Sequence, residues 1–295
     1  METSIDYFAY NIDFSALFVL CLKKGGMKMT TTNVKYIKSN YITFKYAKGA
    51  SSEYGKEVHS FHEIIYFMGG EAKFFSENMQ VPLNPNTLIV IPSETYHQFL
   101  ITGSQMDYQR CVFHFTDIPV LKELIDESMK TALLIEMNPT FQFLFEQMID
   151  LTERPRSNES NSILMQSVLS LLLNEIATKN YIHIENEIPN TISDRCTEYI
   201  AKHINEPIAV EDIAKELNVS TSHLSHSFKK QMNISIHQYI LKKKLVIAHH
   251  KILDGTSATQ AAIECGFNDY SGFYKQFKKT FQKSPSDRNA SMDAE

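Results

Sequence analysis

Cys265–Phe281, CGFNDYSGFYKQFKKTF, is the stretch whose reading decides the fold of the C-terminal third. Gly266 follows a run of small residues and takes the left-handed backbone that closes a helix without a Cβ clash. Asn268 or Asp269 then offers a side-chain oxygen to the free N–H groups that open the next helix. Phe273, Phe277 and Phe281 recur every four residues, so one face of that helix is apolar and turns inward. Tyr270, Ser271, Tyr274, Lys275 and Lys278 are left facing outward, with Lys279 close by. Hydrogen-bonding groups at the helix start and lysines further along suit a major groove, where base edges are met first and phosphates flank them. Taken alone, the segment also fits an ordinary amphipathic surface helix.

The residues before it repeat the pattern. Val210 to Leu217 gives a short helix with Ile213, Ala214 and Leu217 inward, Asn218-Val219-Ser220 is a turn, and Ser220 caps a helix from Thr221 to Gln231. There Leu224 and Phe228 form the buried pair, as Phe273 and Phe277 do later. Thr221, Ser222, Ser225, His226 and Lys229 are thereby turned outward, and Lys230 joins Lys229 as a phosphate partner. One long helix, Ser235 to Leu253, joins the two units. Its Tyr239, Leu245, Ala248 and Leu253 are expected to pack, and Gly255 to end it.

On the stretches IAVEDIAKELNVSTSHLSHSFKKQMNISIHQYILKKKLVIAHHKIL and AAIECGFNDYSGFYKQFKKTFQKSPSDR, residues 193–288 resemble the AraC/XylS family of transcription regulators. The resemblance implies an all-α domain of two helix-turn-helix units on a linker helix, binding promoter DNA in successive major grooves. Several positions depart from the family pattern. Asn233 and Gln282 stand where glycine usually follows each reading helix, and Gln accepts the left-handed conformation less readily than Asn. Lys244 replaces an arginine, Ala258 and Ala261 are smaller than the usual isoleucines, and Asp287 replaces an aromatic before Arg288. These departures leave the second unit more loosely packed than the first and bear on its stability and phosphate contacts.

From Val34 to about Phe115 the pattern is short runs rich in Ile, Val, Phe and Tyr, broken by Gly, Pro, Asn and Ser, as in an antiparallel barrel or sandwich. Within it GKEVHSFHEIIYFMGG and NTLIVIPSETYHQF resemble the two motifs of a cupin, with His59, His62 and Glu63 ahead of Gly69, and His97 after Pro92. Such residues can ligate a divalent metal. Successive strand residues face opposite sides, so His62 and Glu63 cannot both point inward from a regular strand. The reading therefore assigns no metal and no cofactor. It favours an apolar effector pocket with His62 or His97 as a polar contact, and structural histidines remain an alternative. From Val120 to Lys179 the period turns helical. The strongest helix, Ile163 to Ala177, is apolar on more than one side and calls for a core or a second subunit on each. Tyr181 to Thr191 contains Pro189 and reads as a linker.

The chain is thus a multidomain α and β protein. A cupin-like β-barrel (31–118) with dimerisation helices (119–180) follows an N-terminal extension (1–30), and a linker (181–191) leads to the DNA-binding domain (192–290). The 295 residues carry a net charge of −5, yet residues 228–288 hold 11 Lys and Arg against 4 Asp and Glu, so positive charge gathers at the paired units. Cys21, Cys111, Cys196 and Cys265 form no CxxC pair and read as reduced, buried thiols. The apolar run Phe14 to Leu22 is too short to span a bilayer, and Met27 and Met29 leave residues 1–26 without an assigned role. GxGxxG, GxxxxGK[ST], HExxH and GxSxG are all missing, which removes most cofactor and hydrolase classes. The expectation is a cytoplasmic regulator, not an enzyme. Its expected partners are promoter DNA, a small-molecule effector, a second copy of itself and RNA polymerase, and no membrane. The competing reading is a metal-dependent cupin enzyme fused to a DNA-tethering domain.

Overall fold

The computed structural model describes residues 33–49, 56–77, 79–130, 132–178 and 191–287. The expectations for residues 1–30, Cys21, the linker before Thr191 and Arg288 lie outside them.

The N-terminal part opens with nine strands: β1 (Asn33–Lys38), β2 (Ile42–Lys48), β3 (Lys56–Glu57), β4 (His62–Gly69), β5 (Ala72–Ser76), β6 (Met79–Leu83), β7 (Thr87–Ile91), β8 (His97–Ile101) and β9 (Gln109–Phe115). After a single 3-10 turn come α1 (Lys122–Ser128), β10 (Leu133–Glu136), α2 (Pro139–Glu153) and α3 (Asn158–Thr178). All strand pairs are antiparallel. They form a six-stranded sheet, β1-β2-β9-β4-β7-β10, and a four-stranded sheet, β3-β8-β5-β6. Among the described residues the strands pair as two sheets and do not close into one barrel.

The central strands of the large sheet are buried on both faces, which is why they read as unbroken apolar runs rather than alternating ones. One face carries Phe44, Ile64, Leu88, Val90 and Phe113 against Phe141, Phe145, Leu169 and Leu173 of α2 and α3. The other carries Ile65, Phe67, Ile89 and Val112 against Phe74, Val81 and Phe99 of the small sheet. Both apolar rows of α3 go into this one core, with Met165, Leu169, Leu172, Leu173 and Ile176 buried and Leu164 and Val168 packed beside them.

The C-terminal part is α4 (Ile192–His203), α5 (Val210–Glu216), α6 (Thr221–Met232), α7 (Ile236–Leu253), α8 (Ala258–Glu264) and α9 (Tyr270–Phe281). Caps set the starts: Thr191 and Asp194 make a reciprocal capping box on α4, and Ser220, Ser235, Ser257 and Asp269 each accept a backbone N–H three residues on. The helix α7 serves as a shared spine. Tyr239 and Ile240 join the core of α4, α5 and α6, whereas Leu245, Ala248 and Ile252 join that of α8 and α9. Leu253 was expected in that second core but is only half-buried. Ile252 takes the place because it lies four residues after Ala248 on the same face.

Cys111, Cys196 and Cys265 are free and buried. Burial raises the thiol of Cys196 to about 12 and that of Cys265 to about 11, so both stay protonated. No helix among the described residues is long and apolar enough to cross a membrane.

Candidate functional site

The two helix-turn-helix units are built alike down to their backbone bonds. After α5, Asn218 sits at φ 56° and the Val219 N–H reaches the Ala214 carbonyl at 2.9 Å. After α8, Gly266 sits at φ 68° and the Phe267 N–H reaches the Ala262 carbonyl at 3.0 Å. Both are left-handed helix ends in which a later N–H satisfies an orphan carbonyl. The second turn is one residue longer, so the cap moves from Ser220 to Asp269, and the buried pair from Leu224 and Phe228 to Phe273 and Phe277. Asn233 and Gln282 close α6 and α9 with nearly equal φ of 53° and 54°.

With those pairs buried, the outward faces follow. Thr221, Ser222, Ser225, His226, Lys229 and Lys230 are exposed on α6. On α9, Tyr270, Ser271, Lys275, Lys278 and Lys279 are exposed, and Tyr274 is half-buried, with its ring 6.3 Å from that of Tyr270. His223, which sequence reasoning did not single out, shares the exposed start of α6.

Lys244 joins the two units. It is 5% exposed, and its ammonium donates to the Glu206 carbonyl at 2.6 Å and the Gly266 carbonyl at 3.3 Å. Burial lowers its pKa. A Cβ on Gly266 would stand 2.8 Å from that Nζ and 2.9 Å from the Glu206 carbonyl carbon, so glycine here serves close approach as well as backbone sign.

A polar seam links these helices to the strands. Tyr96, which follows β7, is 1% exposed and lies in the core of the first unit. Its hydroxyl donates to the Met232 carbonyl at 3.1 Å, and its ring meets Tyr239 edge-on at 5.6 Å. Glu77 Oε1 accepts from the Tyr239 hydroxyl at 2.9 Å and the Lys243 ammonium at 2.8 Å. His250 meets Glu94 Oε1 at 2.7 Å and the Ser60 carbonyl on its other nitrogen. Burial disfavours charge on His250, but Glu94 and that carbonyl outweigh it and raise its pKa. Beside the seam lies a cavity of about 380 Å³, lined by His62, Glu77, Glu94, Lys130 and Lys243 among others. None of Glu77, Glu94, Lys243 or His250 was singled out from sequence, because contacts across more than a hundred residues leave no local pattern.

The two candidate effector contacts are separated. Along β4, His62 faces the helical side, where its Nδ1 accepts the Ser93 N–H at 3.1 Å and its Nε2 lies 3.4 Å from Asp117. His97 is 1% exposed between the two sheets, with Nε2 3.2 Å from Glu63 Oε2. The expectation that His62 and Glu63 face opposite ways therefore describes this strand.

Paired helix-turn-helix units with open polar faces, coupled by a seam to a small β unit, define a DNA-binding regulator that carries a sensor. Comparison with known proteins agrees. Residues 40–173 match the family model of the AraC-like ligand binding domain, and residues 213–290 match that of a helix-turn-helix domain. The Msm operon regulatory protein of Streptococcus mutans is 31% identical over 242 residues, 79% of this chain and 85% of that one. The lactose operon transcription activator of Staphylococcus xylosus is 23% identical over 90% of both chains. The transcriptional activator RhaR of Mannheimia succiniciproducens is 25% identical over 78% of this chain and 84% of its own. The chain belongs to the AraC/XylS family of transcription regulators. It is an effector-responsive, DNA-binding regulator and not an enzyme, so the fused-enzyme reading is set aside.

Proposed function

We propose that both units bind one face of a promoter, with α6 and α9 in successive major grooves. Thr221, Ser222, Ser225 and His226 would read bases in one groove, and Tyr270, Ser271, Tyr274 and Lys275 in the next. Lys229, Lys230, Lys278 and Lys279 would take phosphates, adding affinity and salt dependence rather than sequence choice. The observation that carries this is the duplicated buried pair, which leaves an open polar and basic face on each helix. Short hydroxyl side chains dominate α6, which favours partly water-mediated readout there. Lys275→Ala and Lys278→Ala, measured separately on a fragment selected from genomic DNA, test the facing. Lys278→Ala is expected to weaken binding evenly across sequences and flatten the salt slope by about one. Lys275→Ala is expected to relax sequence preference, and no change in either variant would refute the assignment.

The regulator is further proposed to act in the cytoplasm as a homodimer, raising or lowering promoter use by RNA polymerase. Residues 31–118 would form the sensor, 119–180 the dimerisation region and 192–290 the DNA-binding domain. Phe143 of α2 and Ile163 and Leu171 of α3 are 57%, 60% and 55% exposed, apolar side chains that a second copy would cover. Leu171→Glu should then lower the mass seen in sedimentation from dimer to monomer. For the effector, the seam cavity is the better place than the space around His97. It is polar, it is bordered by His62, and it meets both the strands and Lys243 of α7. A small polar molecule seated there would alter the Glu77–Lys243 contact. The lactose operon named for the Staphylococcus xylosus relative makes sugars the first compounds to screen by thermal shift on the full chain.

A further inference from the structure

Five strand and loop positions converge between the two sheets. In the large sheet, Glu63 of β4 lies directly opposite His114 of β9. In the small sheet, Glu57 of β3 lies opposite His97 of β8. His59, just before β4, lies beside them with its ring stacked on Phe61 at 3.8 Å. Glu63, His59, His97 and His114 are all at most 7% exposed, whereas the side chain of Glu57 is half exposed at the mouth.

The hydrogen bonds of this cluster fix one proton on each of two rings. His59 Nδ1 lies 2.8 Å from the Phe61 carbonyl, and His97 Nδ1 lies 3.0 Å from the Thr95 carbonyl. A carbonyl oxygen only accepts, so each Nδ1 carries the ring proton, and in the neutral ring Nε2 is a bare lone pair. Both bare nitrogens stand 3.2 Å from the same acceptor, Glu63 Oε2. Neither His59 Nε2 nor Glu63 Oε2 has a hydrogen bond of acceptable geometry. With both rings neutral, these two nitrogens and the buried carboxylate oxygen repel one another unless a proton or a metal cation lies among them. His114 completes the support, with Nε2 2.6 Å from the other oxygen, Glu63 Oε1, where it orients the carboxylate. Glu57, His59 and His97 also offer ligand atoms that all lie within 4.8 Å of one another.

We propose that His59 Nε2, His97 Nε2 and Glu63 Oε2, with Glu57 closing the mouth, form a binding site for one first-row divalent transition-metal ion of the Zn²⁺ class. The spacing fits: ligand atoms at bond lengths of about 2.0–2.2 Å on a tetrahedral ion stand about 3.3 Å apart. The donor set fits too, since imidazole with carboxylate selects such ions over Mg²⁺ or Ca²⁺, which prefer oxygen alone. The backbone carbonyls on both Nδ1 atoms and His114 on Glu63 provide the outer contacts that metal ligands ordinarily have. The ion would tie the two sheets together behind the seam. His62, although it lies in the same sequence motif as His59 and Glu63, faces the other side of β4 and takes no part in the site.

The test uses the full chain, stripped with a chelator and titrated with Zn²⁺ and, for its visible spectrum, Co²⁺. One equivalent of each is expected by elemental analysis and absorbance, with a rise in thermal midpoint on Zn²⁺. Glu63→Gln and His97→Ala should abolish stoichiometric binding. Glu57→Gln, at an exposed position that leaves the fold intact, should weaken it at least tenfold, and His62→Ala should retain it. If the unaltered chain takes up no stoichiometric Zn²⁺ or Co²⁺, the cluster is a proton-held histidine–carboxylate network and the proposal is overturned. Equal binding by His97→Ala and Glu57→Gln would overturn it as well.

Discussion

Gln282 holds α9 closed in the left-handed region at φ 54°, a conformation that costs a branched-off Cβ and that glycine enters freely. Its side chain recovers part of that cost by donating to the Lys279 carbonyl at 2.9 Å. Gln282→Gly should therefore stabilise the domain by about 0.5–1 kcal/mol in chemical denaturation, and a loss would mean the side-chain bond outweighs the strain. His249 titrates against the fold. Burial, with Lys283 and His250 beside it, lowers its pKa to about 3. In the unfolded chain it takes its proton near the ordinary value of about 6.5. Its contribution to stability is therefore whole above pH ~6.5 and lost as pH falls, by up to about 1.4 kcal/mol per pH unit. His249→Phe should reduce the loss of stability between pH 7 and pH 5. An unchanged loss would show that this ring is protonated in the fold.

At the scale of elements, the helices were legible and their partners were not. Asp269, Ser220 and the four-residue spacing of Phe273 with Phe277 are local signals, and each lies where its spacing demands. Strand alternation told His62 from Glu63 in the same way. By contrast, His114 joins Glu63 only through the pairing of β9 with β4, and Glu57 joins His97 only through that of β3 with β8. Such registers are set by the whole sheet and leave no mark in either strand's own sequence. Lys244 was visible only as a departure from a family pattern. In the fold its buried side chain donates to two backbone carbonyls, that of Glu206 after α4 and that of Gly266 in the turn after α8. Lys244→Met keeps the aliphatic stem and removes the donor, so it should cost about 1–3 kcal/mol. Full stability in that variant would mean water replaces the ammonium there.

At the scale of the whole molecule, the seam makes the sensor and the first helix-turn-helix one packed body. Tyr96 fills the core of the first unit, and Glu77 and Glu94 hold α7 through Tyr239, Lys243 and His250. Calorimetry on the full chain should show the sensor and the first unit melting together, and Tyr96→Ala should split that transition in two. The seam leaves the outward faces of α6 and α9 open, so sensing would act on how the two units are held relative to each other rather than by covering them. Both units are predicted to read DNA together. A hydroxyl-radical footprint of the full chain on a selected genomic fragment measures this most directly. Two protected patches on one face of the duplex, about 10 base pairs apart, are predicted, with the patch under α9 lost in a Lys275→Ala, Lys278→Ala double variant. A single patch, or two that survive those substitutions, would contradict the account.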